Sequence, residues 1–200
     1  MRKICSCVAL LLLVLSQPAL AQSRIFVSGD VFADSKWFSG DSTLTLDATS
    51  VGGGGSVGLL VTERWDIRAE VEAGGTTTIT RQLLPSVTAF QSRTRNRMTA
   101  TSALAGFHPV SRPRVGLTVL GGISFLHVTT RFDSIPSGLV VVPHTEIDNV
   151  AAATVGAEVP ITLFRNLSVV PGLRAHAFTL GRDRMGAFAL RPGVAIRWTS

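Results

Sequence analysis

Tyrosine is absent from this 200-residue chain, and lysine occurs only at Lys3 and Lys36. Without lysine clusters there is no basic stripe of the kind that tracks a phosphate backbone. The net charge of +6, falling to +4 if Arg2 and Lys3 are removed, is scattered. That distribution argues against nucleic acid as a partner. The remaining bases are arginines, whose planar fork suits paired, enclosed sites. Cysteine is equally scarce. Cys5 and Cys7 precede an apolar run at the N-terminus, and if both leave with that run, no disulfide and no thiolate metal ligand remains. The four histidines, His108, His127, His144 and His176, have no metal-ligand spacing, so no metal and no cofactor is expected. Also missing, beyond the first 21 residues, is any apolar run near the ~18 residues a membrane helix needs. Mean hydropathy is nevertheless positive. That combination is characteristic of a transmembrane barrel, where apolar residues fall at every second position.

The N-terminus reads as an export leader. Arg2 and Lys3 form a basic start, Val8–Leu15 an apolar core, and Ala19-Leu20-Ala21 a small-x-small cleavage pattern. The expected organisation is a cleaved signal peptide over 1–21 and one β domain over 22–200.

Eight segments alternate with period two, bounded by turn residues. They span about 24–34, 51–61, 65–79, 97–107, 114–126, 149–159, 167–180 and the C-terminal run from Leu190. The third is the clearest: Trp65, Ile67, Ala69, Val71 and Ala73 share one face, and Asp66, Arg68, Glu70 and Glu72 the other. In the fourth, Met98, Ala100 and Leu104 are read as the outward set. Short connections near 62–64, 109–113 and 160–166 alternate with long ones near 35–50, 80–96 and 128–148, an asymmetry expected of short periplasmic turns and longer external loops. Both termini are then periplasmic. Trp65 and Trp198 fall at the periplasmic interface and Trp37 at the outer one, where an indole can keep its ring in lipid and its N–H in water. Pro171-Gly172 and Pro192-Gly193 inside strands predict a pair of bulges.

An unpaired backbone group costs several kcal/mol in hydrocarbon, so the sheet must close. The predicted fold is an all-β, antiparallel up-and-down barrel of eight strands, with ten as the alternative if a loop hides a hairpin. At eight strands the interior has room for side chains and little else. It must hold Asp66, Arg68, Glu70, Glu72, Glu158, Arg174, His176, Arg191 and Arg197, both signs together, as an ion-pair network. Across the closing seam Asp30 is the expected partner of Arg191, and an inward acid that of Arg174.

The C-terminal run carries the most specific pattern. Arg191, Gly193, Ile196 and Trp198 fill the slots polar, glycine, apolar and aromatic at the spacing of the insertion signal of outer-membrane proteins, with Thr199 and Ser200 following. The mature chain resembles the small outer-membrane β-barrel family that includes the OmpA transmembrane domain and OmpX. The resemblance implies a location in the bacterial outer membrane and insertion by the barrel-assembly machinery. It also implies contact with outer-membrane lipids and lipopolysaccharide, a monomer, and a structural or interaction role through external loops without catalysis. It extends to the barrel alone, so a wall-anchoring role is not implied.

Two other readings stay open. His127, Thr129 and Glu146 offer the imidazole, hydroxyl and acid that a lipid-A-modifying barrel enzyme places at its rim. A soluble exported barrel would instead hold an apolar ligand, which the charged face of the third strand argues against. Gly53, Gly55 and Gly58 satisfy G-x-G-x-x-G, but inside a strand pattern they serve close packing and not a dinucleotide. Arg93, Arg95 and Arg97 could meet lipopolysaccharide phosphates, for which guanidinium geometry is suited.

Overall fold

The computed structural model describes residues 24–40, 43–82, 91–135, 143–180 and 185–200. The expected leader lies outside the described residues. Ten strand segments follow in order: β1 Arg24–Gly40, β2 Thr43–Leu60, β3 Trp65–Ala73, β4 Thr77–Gln82, β5 Gln91–Ser111, β6 Gly116–Ile135, β7 His144–Glu158, β8 Ile161–Phe164, β9 Leu167–Leu180 and β10 Met185–Thr199. Each pairs antiparallel with its neighbours, and β10 pairs with both β9 and β1, which closes the sheet.

Two pairs of segments are single staves with a break. β3 and β4 both lie against β5, on either side of a gap at 74–76. Gly74 N still donates to Met98 O at 2.8 Å across that gap. β8 continues β7 beyond Val159-Pro160, where Val159 N donates to Pro171 O and Gly116 N to Pro160 O, both at 2.9 Å. Counting each broken stave once leaves a ring of eight strands. These three bonds carry the ladder across the breaks, as a lipid-facing wall requires.

Facing is set by period two. In β3, Asp66, Arg68, Glu70 and Glu72 are buried while Trp65, Ile67, Ala69 and Val71 are exposed. The outer face carries Val31, Val57, Val119, Ile123, Phe125, Val155, Val194 and Ile196, all exposed. Charged side chains inside and valine or isoleucine outside invert the arrangement of a water-soluble protein. The surrounding medium must be apolar.

Three expectations are corrected. Met98, Ala100 and Leu104 point into the lumen and are 0%, 2% and 4% exposed. The register Ile67↔Ala105, Ala69↔Ala103, Val71↔Thr101 puts the odd-numbered residues of β5 on the same face as the apolar residues of β3. Cross-strand partners share a face, so β3 fixes the phase that β5 leaves ambiguous. The proline bulges are also absent. Pro192↔Leu173, Gly193↔Gly172 and Val194↔Pro171 run in unbroken register. On the other side the ladder passes from Phe32↔Gly193 to Ser35↔Leu190 in the same phase, skipping the positions where Pro192 has no N–H to give. Gly193 is required for another reason: a Cβ there would come 2.8 Å from the Phe32 Cβ. The register does shift between Lys36 and Trp37 and between Phe107 and Val110.

The third correction concerns the long connections, which are largely strand. Pairs such as Ser39↔Leu44, Gln91↔Ile135 and Phe132↔His144 carry the ladder far past the apolar belt. These segments are rich in threonine and other β-prone residues, and each has a neighbour to bond. A tilted strand crosses a bilayer in ~9–11 residues, whereas β5 has 21 and β6 has 20. The excess projects beyond the membrane.

Placing a charge in the belt should be costly only there. Val194→Arg is expected to lower unfolding free energy in lipid bilayers by about 2–4 kcal/mol. Thr145→Arg, on an exposed part of β7 beyond the belt, should change it by less than about 0.5 kcal/mol. Urea titrations of the two variants check this, and equal losses would contradict the assignment of faces.

Candidate functional site

Among the described residues, the lumen is where this chain concentrates chemistry, and it is built in layers. Nearest the short turns, Glu158 at the end of β7 serves three arginines. Arg68 Nη1 donates to both of its oxygens, at 2.9 and 3.0 Å, Arg174 Nη2 to Oε1 at 2.6 Å and Arg197 Nη2 to Oε2 at 2.6 Å. Arg68 also forks onto Asp66, through Nε and Nη2 at 2.8 Å each. Arg174 forks onto Glu70 at 3.2 and 2.9 Å. The guanidinium carbons of Arg197 and Arg68 stand 4.7 and 5.0 Å from the centre of the Phe26 ring, a geometry in which the ring face attracts cations. Gly58 makes room for that ring, since a Cβ there would collide with it.

A second layer centres on Arg191, which is 1% exposed. Its Nε donates to Asp34 Oδ1 at 3.0 Å and its Nη1 to Glu72 Oε2 at 2.6 Å, and it stands 4.9 Å from the Phe32 ring centre. Lys36 Nζ lies 3.2 Å from Asp34, and His176 Nε2 lies 3.4 Å from Glu72. From His176 a chain of hydroxyls runs round the inner wall across β7, β6 and β5. Thr154 Oγ1 is 3.0 Å from His176 Nδ1, Ser124 bonds Thr154, and Ser102 lies 2.6 Å from Ser124. Above this, Met98, Ala100, Leu126, Val128, Ala152, Phe178, Ala187 and Ala189 form a buried apolar cluster.

Among the described residues, these layers interlock through the middle of the lumen. A gap of about 20 Å³ among Asp30, Phe32, Glu72, Arg174 and Arg191 is room for one water and not for a solute. Neighbours of opposite sign and well-placed donors replace the solvent that these buried charged groups have lost.

The residues expected in the lumen, Asp66, Arg68, Glu70, Glu72, Glu158, Arg174, His176, Arg191 and Arg197, are brought into this one network. The expected partner of Arg191 is corrected. The seam register Phe32↔Gly193, Ser35↔Leu190 sets Asp34 beside Arg191, and Asp30 falls opposite Ala195. Asp34, Lys36, Phe26, Phe32 and the Ser102–Ser124–Thr154 chain are additional members that sequence reasoning missed. A signal existed for the first four, which continue the even-numbered phase of β1. The hydroxyl chain depended on the phase of β5.

Gly193, Ile196 and Trp198 lie along β10 with Arg191, the two charged or small residues inward and the two apolar ones outward. Trp65 and Trp198 are exposed at the short-turn end, and Trp65 meets Phe107 with ring centres 4.9 Å apart. The Trp37 side chain lies outside the described residues, as does that of Arg93. Gly53, Gly55 and Gly58 sit within β2. The rim residues are not gathered into a triad. His127 Nδ1 is 2.8 Å from Asn149 Oδ1 on the outer face. Glu146 is in register with Thr130 instead of Thr129, and its nearby imidazole is His144 at 3.6 Å.

Removing the shared anion should expose the cost of burying the arginines. Glu158→Gln is expected to destabilise the barrel by about 3–5 kcal/mol, against less than about 0.5 kcal/mol for Glu63→Gln in the exposed turn. Equilibrium unfolding in lipid vesicles measures both, and a loss below about 1 kcal/mol at Glu158 would contradict the shared-anion account.

No protein-family model and no curated protein matches this sequence. Solved structures do match in fold. Neisserial surface protein A aligns with a TM-score of 0.59 at 13% identity, over 87% of this chain and 96% of that one. OprG, an outer membrane protein of Pseudomonas aeruginosa, gives 0.57 at 9% identity, over 89% and 95%. Ail, the attachment invasion locus protein of Yersinia pestis, gives 0.54 at 12% identity, over 87% and 99%, in a complex with the heparin analogue sucrose octasulfate. With its closed eight-strand ring, apolar outer belt and charged, filled lumen, this chain has the fold of the small bacterial outer-membrane β-barrel proteins.

Proposed function

We propose that this protein is an integral, non-catalytic component of the outer membrane that acts through its projecting strands, binding lipopolysaccharide and other polyanions at the outer leaflet. The observation that carries the reading is the pairing of a filled lumen with an arginine-rich outer face at one height. Solute has no route through layers of interlocked ions and apolar side chains, so the working surface is external.

The height follows from strand geometry. Trp65↔Phe107 marks the lower edge of the belt. Arg97 lies ten residues along β5 from Phe107. At ~3.3 Å per residue and a tilt of ~40° this is a rise of about 25 Å, the height of the apolar band itself. Arg97 therefore stands at the outer rim with Arg95, facing out, because Asn96 and Met98 between and beside them face in. Arg131 on β6 is directly opposite Arg95. Guanidinium groups at that level match the geometry of phosphate oxygens. The Ail complex with a polysulfated sugar gives a precedent of fold for polyanion binding.

On this reading the leader over 1–21 directs export. The barrel-assembly machinery recognises Arg191, Gly193, Ile196 and Trp198 on β10, Trp65, Trp198 and Trp37 sit at the interfaces, and the protein works as a monomer. The failure of His127, Thr129 and Glu146 to converge supports a role without catalysis.

Two measurements test this. Reconstituted in planar bilayers, the protein should show no resolved channel openings; stepwise conductance would contradict the filled lumen. Adding lipopolysaccharide to phosphocholine bilayers should raise the urea midpoint of the wild type and raise that of Arg97→Gln/Arg131→Gln much less. An equal rise in both would remove the arginines from the role.

A further inference from the structure

The end of the barrel that carries both termini and the short turns opens into a chamber of about 1140 Å³, bounded by Arg24, Phe26, Leu60, Glu63, Arg64 and Arg197, among others. Such a volume matches a small-molecule site, in contrast to the filled lumen above it. We propose that this chamber binds an oxyanion, a carboxylate or phosphate group presented from the periplasmic side. The periplasmic assignment rests on the orientation proposed above; the binding itself does not.

Charge is the first argument. Within the lower lumen Arg68, Arg174 and Arg197 are met by Asp66, Glu70 and Glu158, so that layer is balanced. The mouth is not. Arg24 and Arg64 line it together with Arg197, Glu63 is the only acid among its lining residues, and neither Arg24 nor Arg64 has an ion-pair partner among the described residues. A concave site lined by one sign of charge concentrates its field and raises the local concentration of counter-ions.

Arg197 supplies the second, independent argument. It is 7% exposed, lines the chamber, and its Nε is buried without a hydrogen-bond partner. A buried guanidinium donor left open is costly. Its Nη2 is spent on Glu158 and its face on Phe26, so Arg197 is held rigid at the inner end of the chamber. An oxyanion entering the chamber would meet this fixed guanidinium at the inner end and the exposed Arg24 and Arg64 at the opening. Phe26 and Leu60 would cover any short apolar part. A preorganised arginine at the base and exposed ones at the entrance is an arrangement that captures small anions with little reorganisation at the base.

The experiment titrates inorganic phosphate, and separately citrate, into the full chain in phosphatidylcholine nanodiscs, reading the arginine Nε–Hε resonances. Saturable shifts at Arg197, Arg24 and Arg64 are expected, and the tighter of the two probes identifies the preferred group. Arg24→Gln/Arg64→Gln, both exposed and outside the buried network, should weaken binding by about tenfold. Arg114→Gln/Arg165→Gln, on the turns outside the chamber, should weaken it by less than about threefold. Heat-modifiable gel migration confirms that each variant is folded. If phosphatidylglycerol in the disc shifts the same three resonances without added anion, the oxyanion is a lipid headgroup and the site stands. No saturable shift at Arg197 with any source, or equal loss in the two double variants, would overturn the proposal.

Discussion

The backbone of a membrane-spanning sheet cannot leave hydrogen bonds unmade, because hydrocarbon offers no substitute for water. Almost every feature of this barrel answers to that constraint. β10 must find β1, and it does so over eleven residue pairs from Phe26↔Thr199 to Phe38↔Ala187. Where a stave is interrupted, at 74–76 or at Val159-Pro160, neighbouring strands take over the orphaned groups. Pro171 and Pro192 are tolerated within the ladder because each faces outward and costs one donor, while their glycine neighbours admit Phe32 and Glu158 to the crowded interior.

Closure creates the second problem, a narrow interior that is neither lipid nor bulk water. The chain fills it differently along its length. Toward the short turns it uses opposite charges, with Glu158 as the common acceptor of Arg68, Arg174 and Arg197. At mid-height Arg191 binds two acids from different strands, Asp34 on β1 and Glu72 on β3. Farther up, Met98, Leu126, Val128 and Phe178 pack as an ordinary hydrophobic core. The change from charged to apolar filling explains why lumen-facing residues do not share one chemical signature.

That same change decides what the sequence could disclose. β3 was legible because its inward face is wholly charged and its outward face wholly apolar, so the period declared both strand and orientation. β5 was not, since it alternates methionine, alanine, serine and leucine inward with threonine and alanine outward; neither face is distinctly polar. Its phase follows from β3 through pairing, which is a tertiary fact. The seam partner of Arg191 was missed for a related reason. Asp30 and Asp34 share a face and differ by four residues, and only the register between the first and last strands separates them. The extent of the strands was also hidden. Serine- and threonine-rich segments resemble loops in composition, yet they extend the ladder when a partner strand runs alongside, as Gln91↔Ile135 and Phe132↔His144 do.

Phase and register are therefore enforced by different parts of the molecule. The apolar belt fixes phase, because a one-residue slip would turn every valine of a strand inward and every charge outward. It is blind to a slip of two. Val27, Val31, Val57, Val71, Val119, Val155 and Val194 are nearly interchangeable along the belt, and lipid does not discriminate among them. The lumen does discriminate. A two-residue displacement of β10 would carry Arg197 about 6–7 Å along the strand, away from Glu158, and would take Arg191 from Asp34 and Glu72. Each buried guanidinium would then lie in a low-dielectric cavity without its anion, at a cost of several kcal/mol. Fully satisfied buried polar networks are demanding in this way. A cylinder of equivalent valines obtains one definite register from a handful of ion pairs placed at different depths.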